Sequence, residues 1–163
     1  MEPTKTKPRT TRKTPAKSRL TNKTPTTSQA QPKTLITGGT GFLGRHLLHQ
    51  LIEAGEQHIR VLATKTPTWL AELNVEIVEG SITSPDLVKR AVEDVTQIYH
   101  LAGRVSRDPN DGHQMHALHV EGTRLLCEAA VKAGVRNIVL ASSSGTIAVT
   151  EDGDRVPDET WPV

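Results

Sequence analysis

Gly38, Gly41 and Gly44 recur at every third position in Thr37-Gly38-Gly39-Thr40-Gly41-Phe42-Leu43-Gly44, and that spacing leaves the chain few folds to choose from. The apolar run Thr34-Leu35-Ile36 precedes them. The run from His46 to Ile52, with helical periodicity, follows. A glycine triplet alone would mark only a turn. Between a strand and a helix it points to a dinucleotide pyrophosphate. Gly38 permits the tight turn, Gly41 lets backbone approach the phosphates, and Gly44 lets the helix pack close to the strand. The backbone N–H groups and the positive end of the helix dipole then face the anion.

From Lys33 onward strands alternate with helices. Short Val, Ile and Leu runs predict strands at 34–37, 58–63, 75–79, 97–101 and 137–142, as expected where both faces of a sheet are covered. Helices are predicted at 41–54, 84–93 and 113–133, with a weaker turn or short helix at 68–73. Gly55 and Gly134 stand where C-terminal caps belong, and Ser84-Pro85-Asp86 reads as a cap followed by proline at the first helical position. Right-handed crossovers between such units give an α/β fold, a Rossmann-type doubly wound parallel sheet in the order 3-2-1-4-5. The 163 residues suffice for one domain with a real core, not for two large ones.

The net charge of +2 conceals an asymmetry: residues 1–33 carry nine Lys or Arg against Glu2 alone, while the remainder is mildly acidic. The segment 1–33 is rich in Thr, Lys and Pro and reads as a disordered tail, because it cannot bury enough surface to offset its ordering entropy. Three readings of it stay open: a solvated extension, an organelle transit peptide, and a polyanion-binding arm. With no aromatic residue for base stacking, any nucleic-acid contact through the tail would be electrostatic. The tail lacks the apolar core of a secretory signal, and no run is long and apolar enough to span a bilayer, so a cytoplasmic location is expected. Cys127 is the only cysteine, which excludes an intramolecular disulfide. On its helix it is expected to be a buried small hydrophobe rather than a reactive thiol.

Further motifs follow the glycine turn in order: Val78-Glu79-Gly80-Ser81-Ile82-Thr83, His100-Leu101-Ala102-Gly103, His119-Val120-Glu121-Gly122-Thr123 and Ser142-Ser143-Ser144. Together they resemble the extended short-chain dehydrogenase/reductases, the NAD-dependent epimerase/dehydratase group, and look closest to its dihydroflavonol-reductase-like branch. The resemblance covers 34–163. It implies a dinucleotide cofactor held by Gly38, Thr40, Gly41, Phe42, Leu43 and Gly44, by Thr64 and Lys65 after the second strand, by Ser81 and Ile82 after the third, and by Leu101, Ala102 and Gly103 after the fourth. It also implies that Ser144, just past the fifth strand, hydrogen-bonds the carbonyl or hydroxyl of a small-molecule substrate. The plainer reading of the serine run is a polar loop cap.

Two positions depart from the family. Ser81 stands where Asp commonly contacts the adenine, and His119 replaces an Asn that braces backbone. The second strand ends at Ala63 without the carboxylate that would bind the ribose 2′-hydroxyl of NAD, and Lys65 follows. Either dinucleotide stays open, with a lean to NADP. His113, His116 and His119 recur every third residue, but the first and third diverge by about 120° on a helix, so exposed helix histidines are expected rather than metal ligands.

The family's chemistry requires a tyrosine with a lysine four residues later. The one tyrosine, Tyr99, falls inside the fourth strand, and Gly103 occupies the fourth position after it. The expectation is therefore a dinucleotide-binding domain of an oxidoreductase, epimerase or dehydratase acting by hydride transfer at a secondary alcohol or carbonyl. The chain is expected to be a truncated form, inactive alone and without the C-terminal substrate domain. A non-catalytic dinucleotide-binding or regulatory module is the alternative.

Overall fold

The computed structural model describes residues 33–143, together with 146, 153, 158 and 160. Residues 1–32 of the basic tail, and Ser144, lie outside the described residues. Five parallel strands, β1 (Lys33–Thr37), β2 (Ile59–Ala63), β3 (Glu76–Glu79), β4 (Val95–His100) and β5 (Asn137–Leu140), form one sheet in the order β3-β2-β1-β4-β5. The fold class expected from the alternating pattern is the one observed. Strand positions agree within two residues; β4 begins at Val95 and ends at His100, earlier than expected at both ends.

Period-two alternation sends neighbouring side chains to opposite faces. Leu35, Leu62, Val78 and Ile98 join Val88 and Ala91 of helix α3 (Pro85–Ala91) and Leu126 and Ala130 of helix α5 (Thr123–Ala133) in one core. Ile36, Val61 and Ala63 face the other way, onto Leu48 of helix α1 (Phe42–Glu53) and Leu70 of the short helix α2 (Thr68–Ala71). Each face of the central strands is thus covered, which is why β1 and β2 carry hydrophobic residues in succession. Tyr99 packs against this second cluster, paired with Ile36 of β1 and Val139 of β5, and is a strand residue as expected.

The predicted helix 113–133 is three pieces. Helix α4 (Gly112–His116) runs into a π turn over Ala117–Gly122, and α5 completes the span. Sequence periodicity cannot separate these, because one widened turn keeps the chain helical. Gly134 then ends α5 in the left-handed conformation, φ 76°.

Cys127 overturns its expected burial: it is exposed. The buried stripe of α5 runs through Leu126 and Ala130, and the residue after Leu126 is turned about 100° from it. Arg60, read as an ordinary strand residue, is 5% exposed. Its Nη1 donates to the carbonyls of Arg90, Ala91 and Glu93 at 3.1, 2.8 and 2.7 Å, closing the C-terminal end of α3. Its Nη2 pairs with Glu76 at 2.8 Å, and Lys33 reaches the same carboxylate at 2.8 Å. Burial raises the Glu76 carboxyl, but the hydrogen bonds and charges of Lys33 and Arg60 outweigh that and hold it below its ordinary range.

β5 stands at the sheet edge, and Ile138, Val139 and Leu140 are 41, 49 and 54% exposed. Exposed apolar side chains on an edge strand favour association with another strand.

Candidate dinucleotide site

The carboxyl ends of β1, β2 and β4 meet at the glycine turn. Gly38 sits at φ +72°, and a Cβ there would lie 2.6 Å from the amide nitrogen of Ala102 and from the carbonyl of Leu101. The turn therefore presses directly on the loop leaving β4. A Cβ at Gly44 would overlap the carbonyl oxygen of Gly38, so α1 touches the turn itself. At Gly41 an added Cβ would meet, among the described residues, only that same oxygen, at 3.3 Å. Gly41 is the N-cap of α1, and no side chain caps this end. Tight turn, open approach and close helix packing fall on three glycines spaced three apart, the cradle a pyrophosphate needs.

A cavity of about 310 Å³ opens beside the turn. It brings together eight of the expected residues: Gly38, Thr40, Gly41, Thr64, Ile82, Leu101, Ala102 and Gly103. Leu62, Ala63, Gly80 and Leu118 also line it and were not anticipated. Leu62, Ala63 and Gly80 are neighbours of motif residues and could have been found from the strand ends. Leu118 had no signal, since its approach depends on the π turn. Thr40 and Gly41 also line a second cavity of about 580 Å³ over α1, with Phe42, Arg45 and His49 among its walls.

The other expected residues do not line the first cavity. Phe42 and Leu43 are exposed on the first turn of α1, and Gly44 is buried under it. Lys65 is exposed in the loop after β2. The Ser81 hydroxyl is engaged with the Thr83 hydroxyl at 2.8 Å and accepts from the Thr83 amide at 3.2 Å, a local turn. Glu79, at the end of β3, accepts from the Thr66 hydroxyl at 2.5 Å.

Under the cavity floor lies a buried polar contact that the sequence did not reveal. The Thr37 hydroxyl is 2.6 Å from His100 Nδ1 and accepts from the Ala102 amide at 3.3 Å; His100 Nε2 is 2.9 Å from the Thr123 hydroxyl. On the outer side, His119 Nε2 lies 2.8 Å from the carbonyl oxygen of Arg104 and 3.2 Å from its amide nitrogen. His119 thus contacts the backbone of the loop after β4. His113 and His116 are exposed, and no group of three or more His, Cys, Asp or Glu among the described residues is arranged to hold a metal ion.

Burial, reinforced by the charge of His119, holds His100 below its ordinary value of 6.5. The unfolded chain therefore takes up the His100 proton first as pH falls. The stability tied to neutral His100 is present above about pH 6.5 and is lost as pH falls below it. Urea denaturation across this range should show that decline, and His100→Asn should flatten it.

The sequence pattern of the NAD dependent epimerase/dehydratase family matches residues 34–162. Sterol demethylase protein B of Methylococcus capsulatus is 33% identical over 131 residues, 80% of this chain and 39% of that protein. A putative dihydroflavonol 4-reductase of Synechocystis sp. is 34% identical over 128 residues, 77% of this chain and 36% of that protein. The crystal structure of a short-chain dehydrogenase/reductase superfamily protein from Agrobacterium tumefaciens with bound NAD superposes with a TM-score of 0.63 at 33% identity, covering 77% of this chain and 39% of that one. The chain spans well under half the length of these relatives.

Proposed function

This chain belongs to the NAD dependent epimerase/dehydratase family, and from that premise we propose that its glycine turn holds the pyrophosphate of NADP or NAD. The observation that carries this reading is the placement of Gly38 against the β4 loop and of Gly41 and Gly44 against Gly38, where added side chains at Gly38 and Gly44 would fill the turn. Leu101, Ala102 and Gly103 then line the path across the sheet edge, and Thr64 lies at the end of β2. NADP is the favoured form. β2 ends without a carboxylate, and Lys65 stands exposed after it.

The bound nicotinamide supplies a hydride acceptor or donor. The protein that carries this domain acts on a secondary alcohol or carbonyl of a small molecule, with Ser144 hydrogen-bonding the reacting oxygen. Residues 34–163 form the dinucleotide-binding unit and the basic segment 1–33 is an appendage to it. These 163 residues bind cofactor without turning over substrate, because the family's proton transfer needs a tyrosine with a lysine four residues on. Tyr99 is committed to β4, and Gly103 rather than Lys stands four residues after it. That same observation favours a second reading, a module that senses the dinucleotide without chemistry.

Calorimetric titration of the purified chain with NADP and NAD, paired with a hydride-transfer assay, tests both. Micromolar binding, tighter for NADP, and no change in nicotinamide absorbance are expected. Robust hydride transfer would overturn the inactivity, and no binding of either dinucleotide would overturn the cofactor site.

A further inference from the structure

Leu101–Arg104, the loop that Gly38 presses against, is gripped from two sides, and the inner grip depends on how protons are arranged. The Ala102 amide can only donate, so Thr37 Oγ1 accepts from it at 3.3 Å. The Thr37 hydroxyl proton is then directed at its other neighbour, His100 Nδ1, at 2.6 Å. With Nδ1 as the bare nitrogen the Thr37 hydroxyl proton has this partner, and Nε2–H donates to the Thr123 hydroxyl at 2.9 Å. The opposite tautomer would make Thr37 Oγ1 accept twice and leave its own proton without this partner. His100 is 2% exposed and Thr37 fully buried, so water does not readily substitute.

Resting on the dinucleotide reading above, we propose that His100 is a positioning residue for the cofactor loop: as the neutral Nε2–H tautomer it orients the Thr37 hydroxyl, which fixes the Ala102 amide and so the floor beneath Gly38. It links the ends of β1 and β4 to α5 and touches no cofactor atom itself. Protonation would put a hydrogen on Nδ1, reverse the Thr37 hydroxyl and weaken its hold on Ala102. Among the described residues the charged group that bears on His100 is His119, which opposes that protonation. His119 itself keeps a grip on the loop in either state: bare Nε2 accepts from the Arg104 amide, and Nε2–H donates to the Arg104 carbonyl.

The test compares the whole chain with His100→Phe, His100→Asn and Thr37→Val, titrated with NADP and NAD between about pH 5.5 and 8. His100→Phe and Thr37→Val should each weaken binding by about fivefold to tenfold, and the double variant should be no worse than either. His100→Asn, which can offer an acceptor without titrating near neutrality, should restore most of the affinity. The wild-type affinity should fall on acidification while that of His100→Asn stays level. Nitrogen NMR of the imidazole should report the Nε2–H tautomer. An Nδ1–H tautomer, a folded His100→Phe that binds as wild type, or an acid-induced fall that survives in His100→Asn would each overturn the assignment. Should His100→Phe fail to fold, Thr37→Val and the pH series decide it. If the wild-type chain binds neither dinucleotide, the cofactor reading fails, and the tautomer alone then judges the hydrogen-bond assignment.

Discussion

Arg60→Met should lower the stability of the domain by about 3 kcal/mol, because hydrogen bonds from a charged donor are each worth about 1.5–3 kcal/mol. The two Nη1 hydrogens, shared among the carbonyls of Arg90, Ala91 and Glu93, are lost together. Met can fill much of the volume but offers no donor to the end of α3. The ion pair with Glu76 adds less, since that carboxylate is 46% exposed and screened. A domain of this size is stable by roughly 5–15 kcal/mol in total, so the midpoint of thermal unfolding should drop by about 10 °C. Glu76→Gln, which leaves the carbonyl contacts intact, should cost under about 1 kcal/mol. If the two variants lose equal stability, the ion pair rather than the helix closure holds Arg60.

Gly38→Ala should abolish useful dinucleotide binding, weakening it by about a hundredfold. Left-handed backbone costs an L-residue about 1–2 kcal/mol, and overpacking adds about 1–3 kcal/mol. The overpacking term applies because the new methyl would meet the Leu101 carbonyl and Ala102 amide at 2.6 Å, and backbone cannot swing aside as a side chain can. Relief would come from moving the β4 loop, which forms the far wall of the cofactor cavity. Gly55→Ala is the matched control. Gly55 has φ +88° but nothing within 4 Å of an added Cβ. It should lose stability through strain alone and keep its affinity. Calorimetric titration of both variants, with melting curves to confirm folding, separates a strained turn from a broken site.

The sheet order and the glycine turn were legible because both rest on local pattern. Alternation of strand and helix fixes the winding, and the spacing of Gly38, Gly41 and Gly44 fixes where backbone must come close. Features that rest on contacts between distant segments were not legible. Arg60 looks like any charged residue in a strand until α3 brings its C-terminal carbonyls over it, from 30 to 33 positions later in sequence. Thr37 and His100 lie 63 positions apart and become partners only because β1 and β4 pair in parallel. Cys127 was misplaced for another reason. The span from Leu125 to Val131, interrupted only by Glu128, has more hydrophobic positions than α5 has buried ones, so pattern alone does not select the stripe. Leu118 is the same problem at the site, where the widened turn decides which side chain reaches the cavity.

That widened turn also solves a problem of phase. Leu118, Gly122, Leu126 and Ala130 recur every fourth residue, and the first two meet the site and Ile82 while the last two enter the core. An ordinary helix has about 3.6 residues per turn, so a four-residue stripe drifts by about 40° at each step. Over these three steps the far end would face well away from the near end. The π turn at Ala117–Gly122 holds more residues per turn and takes up part of that drift. It works as a vernier between two scales, keeping one row of side chains aligned from the rim of the cavity down to the centre of the domain. A single-residue deletion within it would restore regular helix and rotate the row, detuning the site wall and the core in opposite senses.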